Sequence, residues 1–180
     1  MSGAGDVSAA TATAAREHTG EGVALRLATA DDVPVILQHI RGLAEYEKEP
    51  HEVEMTEETL RRDGFTEGET PLFYCLLAEA DSAPAGFCLF YVAYSTWKGR
   101  YLYLEDLFVG PEYRKRGVGI KMVKAFARVG DLLQVKRLEW SALHWNEPAL
   151  KFYEKIGASQ MSDWVLLRLV NEGIPKLAGS

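Results

Sequence analysis

Three stretches of the chain carry residue types able to do chemistry. The run Tyr113-Arg114-Lys115-Arg116-Gly117-Val118-Gly119 leads straight into a helical pattern at Ile120, Val123, Lys124, Phe126 and Ala127. A short glycine loop opening a helix leaves backbone N–H groups converging on an anion, and the helix dipole adds its positive end. Two other phosphate motifs fail here. GxxxxGK[ST] does not fit the residues from Gly117 to Met122, and Met122 stands where the dinucleotide fingerprint needs its third glycine. The loop by itself reads either as a phosphate cradle or as a helix-opening turn with solvated basic residues. In the second stretch, Glu105 and Asp106 interrupt an otherwise apolar strand. Strand alternation sends adjacent side chains to opposite faces, so one of the two is expected to face a site. The third stretch, residues 45–58, holds seven carboxylates and one Lys, a local negative field that attracts cations or a solvated acidic loop.

Other chemistries find no footing. Cys75 and Cys88 are the only cysteines, too few for a disulfide framework or a CxxC zinc site, and neither sits in a nucleophile motif. His18, His39, His51 and His144 are scattered without zinc spacing, so no metal is expected. The 180 residues include 20 Lys+Arg and 26 Asp+Glu, a net charge of −6, which disfavours nucleic acid and anionic membranes as partners. No uncharged apolar run approaches the ~20 residues of a membrane span, and no apolar secretory block stands at the N-terminus. A cytoplasmic protein is expected.

These groups must be positioned by one domain, since 180 residues with 47% apolar content suffice for a single core. Residues 1–22, rich in Ala, Ser, Thr and Gly, are expected to be a flexible tail, residues 23–172 the domain, and residues 173–180 a second tail. A strand over 24–28 precedes a helix capped by Thr29, whose stripe is Val33, Ile36, Leu37, Ile40, Leu43 and Ala44. A shorter helix runs from about Thr56 to Gly64. Strands follow over 72–80, 85–94 and 101–109, then the loop and a helix ending at Gly130. A strand over 136–143, a helix from Asn146 to Gly157, and one or two strands over 159–170 complete the order βααβββαβαβ.

Arg114-x-x-Gly117-x-Gly119 between a strand and a helix resembles the acetyl-CoA signature of the GNAT acetyltransferases, and the likeness runs from about Leu25 to Leu169. It is most similar to the diamine acetyltransferase-like group, which includes spermidine/spermine, thialysine and plant diamine or ornithine acetyltransferases. Four blocks carry it: Glu45-Tyr46-Glu47, the strand from Tyr101 to Val109, the loop from Tyr113 to Gly119, and Trp145-Asn146-Glu147-Pro148 through Phe152-Tyr153 to Gly157-Ala158. The resemblance implies an α/β fold, a GNAT-like single domain with a central mixed twisted β-sheet flanked by helices on both faces. It implies acetyl-CoA as co-substrate, contacted by Leu107, Phe108, Val109, Arg114, Lys115, Arg116, Gly117, Val118, Gly119, Ile120, Asn146 and Tyr153. A β-bulge and a splay beside the strand 101–109 are implied by it too, freeing backbone to pair with the pantetheine amides and placing an N–H near Leu107 for the oxyanion.

An aliphatic amine near pKa ~10 is almost wholly protonated at pH 7, so transfer needs a base. The resemblance assigns this to Glu105, acting through a water because an ordinary carboxylate is weakly basic, with Asp106 beside it. It makes Tyr153 the general acid for the departing thiolate. Tyr46, Glu47, Trp97, Glu105 and Asp106 are the substrate residues it implies. Where the spermidine/spermine enzyme has Asp-Pro-Trp, this chain has Ser95-Thr96-Trp97, one carboxylate fewer for a distal ammonium. A shorter amine is therefore expected: putrescine, ornithine, thialysine, or spermidine less well. The alternatives are a protein lysine or N-terminal acetyltransferase and a non-catalytic CoA-binding module. The group implies a homodimer.

Overall fold

Alternating burial along β1 (Val23–Leu27) puts Val23 and Leu25 inside, and the chain then turns into a helix through a device local to four residues. The Asp32 carboxylate accepts from the Thr29 amide at 2.8 Å and hydroxyl at 3.0 Å, and Arg26 grips both its oxygens at 2.7 Å. Arg26, then the Thr29 donors, hold Asp32 at a pKa of about 2 against the burial that opposes them. A carboxyl depressed from its unfolded 3.8 stabilises the fold above that pH and stops doing so as pH falls from 3.8 towards 2. With Arg26 nearly half exposed, a discounted effect of about 1–2 kcal/mol remains. Asp32→Asn is expected to lower Tm by roughly 2–6 °C at pH 7 and to match the wild type near pH 2. Equal melting at both pH values would contradict this account.

The computed structural model describes residues 3–179; Met1, Ser2 and Ser180, which the expected tails include, lie outside them. The chain divides into two compact units, Met1–Ser141 and Ala142–Ser180. In the first, β1 is followed by α2 (Val33–Glu47), α3 (Glu57–Phe65), β2 (Tyr74–Ala80), β3 (Ala83–Ser95), β4 (Gly99–Val109), α4 (Val118–Leu132) and β5 (Leu138–Trp140). The sheet order is β1-β2-β3-β4-β5, antiparallel except for the parallel β4–β5 pair, so the expected mixed α/β sheet is present. One face packs Leu76, Cys88, Phe90, Leu102 and Leu104 against Met122, Phe126 and Val129 of α4. The other packs Leu77, Phe87 and Phe108 against Val33, Ile36 and Leu37 of α2. Helices thus cover both faces.

Three expectations need correction. Residues 3–18 form helix α1 (Gly3–His18), with Val7, Ala10, Thr11, Ala14 and Ala15 buried. Alanine is the best helix former and its small side chain allows close packing, so a composition poor in large apolar residues still makes a core stripe. Thr11 returns its hydroxyl to the Val7 carbonyl at 2.7 Å, and Glu17 pairs with Arg128 at 2.8 Å. Gly130 does not end α4, which continues to Leu132. A Cβ at Gly130 would lie 2.8 Å from Leu138 Cδ2, so this glycine serves close packing instead. In the second unit, α5 (Glu147–Lys155) forms as expected, but residues 159–170 hold no strand and expose Trp164, Val165, Leu166 and Leu167. A strand needs a ladder partner, and this segment has none among the described residues. Residues 173–178 are the short helix α6 (Gly173–Ala178). No helix among the described residues is long and apolar enough to cross a membrane.

Candidate active site

The β3–β4 ladder decides where the two adjacent carboxylates point. Leu89 pairs with Asp106 and Phe90 with Leu104, which leaves Glu105 as an extra residue, a β-bulge. Before it, Leu102 and Leu104 face the α4 side; after it, Leu107 and Val109 face that side while Phe108 faces α2. The alternation therefore slips by one at Glu105. The expectation that Glu105 and Asp106 face opposite ways is corrected, for the bulge turns both toward the α2 face.

The charges agree with that geometry. Asp106 is half-buried, and its pKa is pushed up to about 7 by burial first, then by Glu105 and Glu47. Glu47 lies on the last turn of α2, half-buried and raised by desolvation alone, whereas the other six carboxylates of residues 45–58 are exposed. Three acids thus converge from α2 and β4, one of them able to gain and lose a proton near neutrality. Beyond Leu104 the bulged strand leaves its β5 neighbour, since that pairing spans only Leu102↔Leu138 to Leu104↔Trp140. One edge of residues 105–109, including Leu107, Phe108 and Val109, has no strand partner among the described residues.

At the end of β4 the basic loop is held by its own contacts. Arg114 donates its Nε to the Val109 carbonyl at 3.0 Å and lays its guanidinium over the Tyr46 ring at 4.8 Å. Arg116 forms a two-pronged pair with Asp81 at 2.8 and 3.0 Å; Asp81 sits in the two-residue turn between β2 and β3, where it and Ser82 both have positive φ. Lys115 (φ 61°) and Gly117 (φ 82°) take the left-handed conformation, which glycine adopts freely. Gly117 caps α4 with no side-chain hydrogen bond, ahead of the amides of Val118, Gly119 and Ile120. A Cβ on Gly119 would meet only Val109 Cγ2, at 3.6 Å. Uncapped amides at a helix start, with basic side chains beside them, are the kind of arrangement that can receive an anion.

Other candidates fall elsewhere. Trp97 stands at the tip of the β3–β4 hairpin, 82% exposed, eight positions before the bulge at Glu105, and is not brought to the acids. In the second unit, Asn146 caps α5 by accepting from the Ala149 amide at 3.3 Å, and Tyr153 meets the Phe152 ring edge-on at 5.3 Å. Burial drives the thiols of Cys75 and Cys88 upward, so neither is a ready nucleophile. Exposed Glu49, His51 and Glu52 approach one another on the acidic loop, a grouping that zinc spacing does not signal. The sequence reading missed Tyr91, Tyr103, Arg137 and Glu139, which share the Glu105 face. The signal was the odd-numbered alternation of Tyr101, Tyr103 and Glu105.

A family model described as the acetyltransferase (GNAT) family matches residues 38–158. A thialysine N-epsilon-acetyltransferase of Bos taurus is 43% identical over 168 residues, covering 87% of this chain and 98% of its own length. The spermidine/spermine N(1)-acetyltransferase-like protein 1 of Homo sapiens is 34% identical over 164 residues, 86% of this chain and 23% of that longer one. Among solved structures, an integron cassette protein from the mobile metagenome of V. cholerae superposes with a TM-score of 0.73 at 25% identity, over 89% of this chain and all of the other.

Proposed function

The chain belongs to the acetyltransferase (GNAT) family, and on that premise we propose that it transfers the acetyl group of acetyl-CoA directly to the primary amine of a small cationic substrate: a diamine, a polyamine or a basic amino acid. The observation that carries this reading is the bulge at Glu105, which gathers two β4 carboxylates beside an unpartnered strand edge leading to the basic loop.

The residues fit the co-substrate. The uncapped α4 amides from Val118 to Ile120, with Arg114, Lys115 and, on exchanging Asp81 for the ligand, Arg116, would hold a pyrophosphate. The free edge of residues 105–109 would pair with the amides of the pantetheine arm, the Leu107 N–H lying on the stretch that serves an oxyanion. The family resemblance assigns Asn146 a polar contact to the same co-substrate. Bound acetyl-CoA supplies an acyl group already activated as a thioester. Glu105 takes the proton of the substrate ammonium through a water, and Asp106, titrating near neutrality, keeps that proton exchangeable. Tyr46 and Glu47 line the amine's approach, and the exposed carboxylates of residues 45–58 draw cations to it. The family resemblance assigns to Tyr153 the proton returned to the departing sulfur. Because Trp97 lies in the turn between β3 and β4, eight positions from Glu105, the proposed site does not require it. A cytoplasmic homodimer remains part of the proposal, tested by light scattering and by imaging of a tagged chain.

Mass spectrometry after incubation with acetyl-CoA and a mixture of putrescine, spermidine, spermine, ornithine and thialysine tests the reading. One added acetyl group on a short amine is the expected product, with spermine the poorer substrate because the Ser95 position offers no carboxylate for a distal ammonium. No acetylated amine, together with no calorimetric heat on adding any acyl-CoA, would overturn it.

A further inference from the structure

Past Glu105, the same face of the sheet carries groups that acetyl transfer leaves unused. The register sets Tyr91 of β3 opposite Tyr103 of β4, their rings stacked with centroids 5.3 Å apart. Tyr103 pairs in turn with Glu139 of β5, and its hydroxyl meets Ser141 Oγ at 2.8 Å. Arg137 lies over the Tyr101 ring at 3.9 Å and reaches Glu139 with its Nε at 3.1 Å. Burial, followed by Glu105, Tyr103, Tyr101 and Glu139, raises the Tyr91 phenol, which marks all of these as one electrostatic neighbourhood.

A cation and an anion thus sit side by side on an aromatic floor, with side chains 38% and 41% exposed. No described residue bonds the terminal amino groups of Arg137. As a surface ion pair it adds little to stability, so the arrangement has little structural reason to exist. Its spacing from the bulge is informative. Glu139 stands opposite Tyr103, two residues or about 7 Å along the strand from Glu105, and Arg137, over Tyr101, lies beyond it on the far side from the bulge while reaching back to Glu139. An extended chain of four or five bonds, at about 1.2 Å each, covers 5–6 Å. That is the separation between the α-carbon and the side-chain amine of ornithine or thialysine.

We propose that Arg137 and Glu139 read the α-carboxylate and α-ammonium of an amino acid substrate, so that Glu105 receives the side-chain amine. The planar guanidinium suits a carboxylate fork, Glu139 pairs with the ammonium, and Tyr91 and Tyr103 underlie the methylenes. A diamine has no carboxylate for Arg137 and would bring a second cation against it. This inference rests on the acetyl-transfer reading and selects one substrate class within it.

Putrescine is ornithine without its carboxylate, so the ratio of their kcat/KM values isolates the head group. The wild type is expected to favour ornithine at least tenfold. Arg137→Ala should collapse that ratio towards one, mostly through a KM increase of about 10- to 100-fold for ornithine. Arg137→Lys, which keeps charge and packing but not the fork, should recover part of it, and Glu139→Gln should raise KM for ornithine as well. A wild-type ratio at or below one, or a ratio unmoved within twofold by Arg137→Ala, overturns the proposal. Absence of acetylation of both amines by the wild type would remove the transfer reading and this inference together, an outcome distinct from equal use of the two.

Discussion

Asp106→Asn is expected to erase the acidic limb of the kcat/KM profile, which in the wild type should rise with pH through about 7. The limb belongs to Asp106 because enclosure, then Glu105, then Glu47, raise its proton affinity from 3.8 to about 7. Below that pH the acid cluster is one charge less negative and holds the proton it must be free to accept. Glu105→Gln should lower kcat by about 10²–10⁴. It should also move the limb of the residual activity to lower pH, since one of the charges raising Asp106 is gone. The same shift has a stability consequence of definite sign. Between pH 3.8 and 7 the folded chain holds a proton that the unfolded chain has released, so stability falls as pH rises across that window. The ionised form costs up to about 4 kcal/mol at pH 8. Asp106→Asn, which cannot ionise, should therefore melt several degrees higher than wild type at pH 8, with the advantage shrinking towards pH 4. A stabilised variant with a flat profile would show that the site holds this carboxylate at the expense of the fold. An unchanged limb in Asp106→Asn would assign the titration to another group.

What the letters reveal depends on whether a feature is local. The α2 stripe, the Asn146 cap and the glycine loop each depend on spacings within a few residues, and each forms where the spacing places it. The bulge is of another kind. Glu105 is an extra residue only relative to Leu89 and Phe90, fifteen or more positions away, so no reading of β4 alone reveals that two neighbouring acids share a face. The resemblance to a known family implied a bulge, but alternation still predicted opposite faces. Helix α1 failed for a different reason. Its stripe is mostly alanine, which composition counts as weakly apolar, while burial against α4 depends on shape as much as on hydrophobic area. Gly130 read as a stop signal because glycine ends helices; its true constraint is Leu138, a contact visible only in three dimensions. His39 likewise fell outside the predicted stripe, yet it is buried and stacks on Phe87 with centroids 5.7 Å apart.

Tyr153→Phe is expected to lower kcat by roughly 10² or more while leaving KM for acetyl-CoA and the melting temperature nearly unchanged. The substitution removes one hydroxyl and keeps the ring that packs edge-on against Phe152, so a purely structural role predicts little change in rate. A catalytic role predicts a different pattern. A thiol near pKa ~8.5 leaves as an anion unless a proton meets it, and a phenol near pKa ~10 can supply one only where it is aimed at the sulfur as the bond breaks. That interaction exists in the transition state alone, and its loss falls on kcat rather than on binding. Helical geometry separates the two aromatics of α5. Adjacent positions point about 100° apart, so Phe152 can serve packing while Tyr153 is directed elsewhere. Phe152→Leu should accordingly lower Tm with a smaller effect on kcat, the reverse of Tyr153→Phe. If both variants lost stability alike and Tyr153→Phe turned over at the wild-type rate, the proton for the departing sulfur would have to come from solvent or from another residue.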